Sequence, residues 1–132
     1  MLRVGDARLP ESLRAAIKMA VSKGELAADE VLESLTAIRR QTSMNEYGAP
    51  EKGSLRSLRV VLPGTIFEAT LEFAAEPDPQ TLALLAACVL AWRRAGASRN
   101  RGRGRLQARL LDNGGADITE DCFRVFAREV AR

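Results

Sequence analysis

The sequence predicts an α+β fold built on an antiparallel sheet, and three observations carry that reading. Phe67, Ala69, Leu71 and Phe73 alternate with Glu68, Thr70 and Glu72, the period of two of a strand with one buried face. Leu13, Ile17 and Val21 instead recur at helical spacing, as do Leu82, Leu85, Val89 and Trp92. Turn-forming stretches, Pro63-Gly64 and Asn113-Gly114-Gly115, separate segments of the two kinds. At 132 residues and 46% apolar content, a single domain over 1–132 is expected.

Residues 8–40 read as a helical pair broken at Lys23-Gly24, with Pro10 in a first turn and Val31, Leu32, Leu35 and Ile38 forming the second apolar stripe. Glu25, Asp29, Glu30 and Glu33 make its outer face acidic, which argues against nucleic-acid contact there. Residues 41–54 turn to Thr, Ser, Asn, Gly and Pro, the composition of an exposed loop or a long hairpin tip, bracketed by Arg39 and Arg40 before it and Arg56 and Arg59 after it. A strand follows over 55–62 and another over 65–74.

Asp78-Pro79 then opens a helix whose apolar residues cover most of its circumference, so Trp92 is expected to be buried. That helix is expected to run out at Arg93-Arg94-Ala95-Gly96, with Gly96 as its left-handed cap. Residues 103–111 read as a strand, Leu106, Ala108 and Leu110 facing in and Arg105, Gln107 and Arg109 facing out. Thr119 is expected to cap a last helix. A hairpin whose second strand leads through a helix to a further strand is the latter half of a ferredoxin-like unit, with helices on one sheet face and 8–40 as an N-terminal helical insertion.

Charge is distributed more tellingly than its total. The net formal charge is only +3, yet 17 of the 20 basic residues are arginine, and no acidic residue lies between Asp78 and Asp112, where seven arginines fall. Four of them sit in Ser98-Arg99-Asn100-Arg101-Gly102-Arg103-Gly104-Arg105. A guanidinium offers a planar fork of donors that matches phosphate oxygens, and interleaved glycines let the backbone approach an anion. Arg99, Arg101, Arg103 and Arg105 are thus the candidate phosphate contacts, with Gln107 and Arg109 beside them; a solvated loop with no ligand is the plain alternative.

Catalysis finds little support. The absence of histidine removes Ser-His, Cys-His and the commonest zinc arrangements. Cys88 and Cys122 have neither metal-ligand nor disulfide-framework spacing and read as buried thiols. Asp6, Glu68 and Glu72 are the carboxylates a metal-dependent nuclease would use, but the two glutamates occupy ordinary solvent-facing strand positions. No catalytic residue, metal or cofactor is assigned. The longest apolar run, Leu82 to Trp92, is 11 residues, short of the roughly 20 that cross a bilayer, so a cytoplasmic protein without membrane contact is expected.

Four segments in order carry a resemblance. Gly5-Asp6-Ala7-Arg8-Leu9-Pro10, Ile38-Arg39-Arg40-Gln41-Thr42, Val61-Leu62-Pro63-Gly64-Thr65-Ile66-Phe67 and Ala95 to Leu106 resemble segments of the RAMP superfamily of CRISPR-associated proteins. The last is similar to that family's glycine-rich loop, although a single glycine opens it here where two are frequent. The resemblance implies a fold related to the RNA-recognition motif and a non-catalytic RNA-binding subunit of a type III-like CRISPR effector complex. It also implies that Gly96, Arg99, Arg101, Gly102 and Gly104 hold the CRISPR RNA backbone, and that Arg39, Arg40 and Thr42 bind RNA at the base of a protruding hairpin that wedges between nucleotides. The matched segments correspond to the later part of the family's domain, so the first strand would come from other effector subunits, from a second copy joined through the incomplete sheet, or from Leu2-Arg3-Val4. A structural protein that binds protein partners through its helical pair and sheet edge is the competing expectation.

Overall fold

The structure is a computed structural model and describes residues 1–97 and 102–131. In chain order its elements are β1 (Leu2–Val4), α1 (Glu11–Ser22), α2 (Ala28–Leu35), β2 (Thr36–Gln41), β3 (Arg56–Val61), β4 (Leu71–Phe73), α3 (Pro79–Ala91) and α4 (Thr119–Val130). Among the described residues this is a mixed α and β chain with four helices and two two-stranded antiparallel sheets, β1–β4 and β2–β3. Contacts divide it into two compact units, Leu2–Glu72 and Phe73–Arg132 with Met1.

In the first unit, α1 follows Pro10 and ends where Gly24 takes a φ of 72°. The backbone N–H of Ala27 donates to the Glu30 carboxylate at 2.7 Å, tying down the start of α2. The expected helix over residues 8–40 is corrected at its end: α2 stops at Leu35, and Thr36 is already extended, with φ −140° and ψ 159°. The spacing of Leu35 and Ile38 suits a helix, but Thr36 and Ile38 are β-branched and find strand partners. Tertiary pairing overrides the local pattern. Register runs from Thr36 opposite Val61 to Gln41 opposite Arg56.

The expected turn-rich stretch is the tip of this hairpin. The Asn45 side chain accepts from the N–H groups of Tyr47 (3.0 Å) and Ala49 (2.9 Å), and Glu51 N–H donates to Ser43 at 2.8 Å. The expected strand over 65–74 survives only at Leu71–Phe73, preceded by an Arg8–Glu68 bridge. Its partner comes from residues 2–8: Gly5 N–H donates to Thr70, whereas Arg8 and Glu68 exchange both hydrogen bonds, a one-residue shift that interrupts the ladder. Leu2–Val4, one of the expected sources of a pairing strand, pairs with Leu71–Phe73.

In the second unit the cap of α3 is as expected, with Asp78 accepting from Thr81 N–H at 2.7 Å and Pro79 in the first turn. The helix ends earlier than expected, at Ala91, because the backbone of Arg93 and Ala95 bonds to residues 104–106 instead. The expected burial of this helix is also corrected. Ala83 and Ala86 are its buried residues, while Leu84 is 56% and Trp92 55% exposed. Cys88 is exposed and Cys122 half-buried, so neither is the buried thiol expected.

No strand forms over 103–111; the segment pairs only through single bridges at Arg105 and Leu111. Its period-two burial is nevertheless present: Leu106 and Ala108 are half-buried and Leu110 buried, with Arg105, Gln107 and Arg109 exposed. Alternation reported a one-sided extended chain, and among the described residues no neighbouring strand completes a ladder along 106–110. Thr119 is the first residue of α4 rather than its cap, which is Ile118.

Candidate nucleic-acid interface

Residues 93–95 and 104–106, which flank the centre of the arginine- and glycine-rich segment, form the stem of a narrow hairpin. Arg94 lies opposite Arg105 in an antiparallel bridge, Ala95 N–H donates to Gly104 at 2.9 Å, and Leu106 N–H donates to Arg93 at 3.0 Å. Gly96, Gly102 and Gly104 have φ of 87°, 74° and 69°. At Gly104 the need for glycine is also steric: a Cβ there would stand 1.9 Å from the Ala95 carbonyl oxygen. The stem therefore closes only because that position lacks a side chain.

Gly96, expected as the cap of α3, keeps the left-handed backbone but serves the bend, four residues beyond Trp92. Arg103 is half-buried and Arg105 exposed. Arg99 and Arg101 lie outside the described residues. Arg93 and Arg94, expected at a helix end, belong to the stem; their signal was the acid-free interval itself. Arg109, expected to add to a basic face, stands 3.7 Å from the Asp117 carboxylate.

That carboxylate anchors the chain leading away from the bend. Thr119, 3% exposed, donates its hydroxyl to Asp117 at 2.6 Å and accepts from Leu110 N–H at 2.7 Å. Hydrogen bonds from the Thr119 hydroxyl and N–H hold Asp117 below the usual carboxylate range; Arg109 adds a smaller push the same way. Asp112 accepts from Gly114 and Ala116 N–H groups, both at 2.8 Å, which closes the expected Asn113-Gly114-Gly115 turn.

The first unit carries its own basic element. Arg39 and Arg40 lie on β2, not on a helix, and Thr42 stands exposed just beyond it. The hairpin brings both arginines beside Arg56 and Arg59 of β3, which sequence alone placed near the loop without assigning them to the site. Neither strand contains an acidic residue.

Among the described residues no three His, Cys, Asp or Glu side chains gather where a metal could bind, and Asp6 pairs with Arg8 at 3.6 Å. A cavity of about 360 Å³ in the first unit is lined by Pro10, Leu13, Leu35, Leu62, Pro63 and Ile66, among others, with no ionisable group on its wall. Among the described residues no helix is long and apolar enough to cross a membrane. No protein-family model matches the chain, and no curated protein matches it.

Proposed function

We propose that the chain is a non-catalytic RNA-binding module that grips the sugar-phosphate backbone through the Arg93–Leu106 bend. One observation carries this reading: a stem that only glycine at 104 allows to close presents arginines within an interval, residues 79–111, that has no carboxylate of its own. Every charged side chain within that interval is basic, and the glycine backbone suits close approach to an anion. Such a contact recognises phosphate rather than base. Tyr47 is 85% exposed and Trp92 partly so, and with few aromatics the chain has little means of reading sequence by stacking.

In this proposal the resemblance of the four segments supports a RAMP-type subunit of a CRISPR effector complex, with CRISPR RNA as ligand, other effector subunits as partners and a ferredoxin-like completed domain in the cytoplasm. The test is a salt titration of RNA binding. Replacing Arg99 and Arg101 by alanine should weaken binding at every sequence. It should also flatten the log–log salt slope by about 1.4, since each phosphate neutralised on a single strand adds about 0.7. Unchanged binding eliminates the bend as the site.

A second reading, an assembly protein, is favoured by the exposed apolar face of α3, where Leu84 and Cys88 stand at helical spacing, with Trp92 exposed just past the helix end. Measuring the mass of the purified chain in solution, with and without RNA, separates the two: an assembly role gives self-association with no RNA uptake.

A further inference from the structure

From Thr81 onward, α3 meets solvent along a narrow seam. Its exposed residues there are Thr81, Leu84, Cys88 and Ala91, spaced three, four and three apart, whereas Ala83 and Ala86 are buried and α4 packs against the helix. That spacing is the one by which a helix seats side by side with another. A helix that is apolar around its whole circumference belongs in the interior, yet Leu84 on this seam is 56% exposed.

The seam is bounded by charge of opposite sign at its two ends. Glu76 and Asp78 stand exposed before α3, Arg93 and Arg94 stand exposed after it, and no charged residue lies between Asp78 and Arg93. The pattern is self-complementary. When a second copy of the helix is turned end for end so that Leu84 of one copy faces Cys88 of the other, Thr81 meets Ala91 and Asp78 comes against Arg94, each of these twice. A larger side chain then falls opposite a smaller one, acid falls opposite base, and the two helix dipoles oppose each other. A parallel pair would instead set acid beside acid and base beside base. An unrelated partner would have to supply each of these matches independently, whereas a two-fold axis supplies them all from one sequence.

We infer that α3 is the contact of a two-fold homodimer, packed antiparallel against the same helix of a second copy with Leu84 opposite Cys88. The inference rests on the assembly reading given above and names its partner. With 13 residues, α3 is about 20 Å long, so the contact lies at the small end of specific interfaces and the dimer is weak and dependent on concentration.

The experiment is sedimentation equilibrium of the full chain over a range of concentrations, in reductant so that no disulfide contributes, with circular dichroism confirming that each variant folds. Wild type is expected to pass from monomer to dimer as its concentration rises. Leu84→Glu and Cys88→Lys, each alone, should weaken self-association by about a hundredfold or more, because each buries charges without partners. An equimolar mixture of the two should regain much of the lost affinity, since one junction then holds a Glu–Lys pair and the other keeps the native Leu84 and Cys88. Dimers that persist in either single variant overturn the inference and leave the assembly reading standing through another surface. A mixture no better than its components overturns the antiparallel register and the inference with it. Wild type that stays monomeric throughout overturns both the inference and the assembly reading.

Discussion

Gly104 and Gly102 share a left-handed backbone yet differ in surroundings, which makes them a matched pair. Alanine at 102 meets open space and should cost only the conformational term, about 1–2 kcal/mol; alanine at 104 adds collision with the Ala95 carbonyl and should open the stem. Urea melts compared with RNA affinity should show Gly104→Ala losing more of both. Thr119→Val should cost about 1–3 kcal/mol, because Leu110, 6% exposed, loses the acceptor for its N–H. The lowered pKa of Asp117 fixes the sign of a pH effect. Its contribution is fully present above the unfolded value of about 3.9 and is lost as the pH falls through the lower folded value. In Asp117→Asn, the unfolding midpoint should therefore lose part of its dependence on pH in the acid range. The turn at 112–116 was legible because Asn-Gly-Gly has one local use. The role of Thr119 was not, since a threonine before a helix looks the same whether it caps that helix or anchors a chain nine residues upstream.

Single elements were legible where local chemistry decides them. The start of α3 is one: Asp78 and Pro79 satisfy the first turn without help from elsewhere. Asp78→Ala should accordingly raise amide exchange at Thr81 and its neighbours while leaving α4 protected, a result that exchange measured residue by residue would check. Thr36 to Gln41 was misread because a stripe ending Leu35, Ile38 fits both periods, and only a partner such as Val60 or Val61 decides between them. In 103–111 the side-chain alternation was real and the strand was not, since alternation reports which side is sheltered and a ladder needs a neighbouring backbone. The basic character of both candidate elements could be read from charge alone. That Arg56 and Arg59 would stand diagonal to Arg39 and Arg40 needed the register.

For the molecule as a whole, no large side chain among the described residues is fully buried, and apolar groups such as Leu84, Ile66 and Trp92 remain more than half exposed. A chain so constituted should bind hydrophobic dyes when alone and gain stability from whatever it binds. At a free ligand concentration one hundred times its dissociation constant, the gain should be about 2.7 kcal/mol, visible as a thermal shift that grows with RNA concentration. Trp92 serves as a built-in reporter: acrylamide should quench it freely in the isolated chain, and shielding on adding a protein partner but not RNA would support the assembly reading. Composition announced a chain able to form a core. It did not announce how little of that core would close, because closure depends on which surfaces meet.

The pairing of Leu2–Val4 with Leu71–Phe73 has a consequence at the ribosome. The earlier segment emerges first and has to wait about 70 residues for its mate, roughly 4–14 s at ordinary rates of synthesis. The β2–β3 hairpin can zip up within microseconds of leaving the tunnel. Translation thus imposes an order of assembly, with the most distant seam sewn after the ribbon, and a nascent strand left waiting for its complement is a natural client for a chaperone.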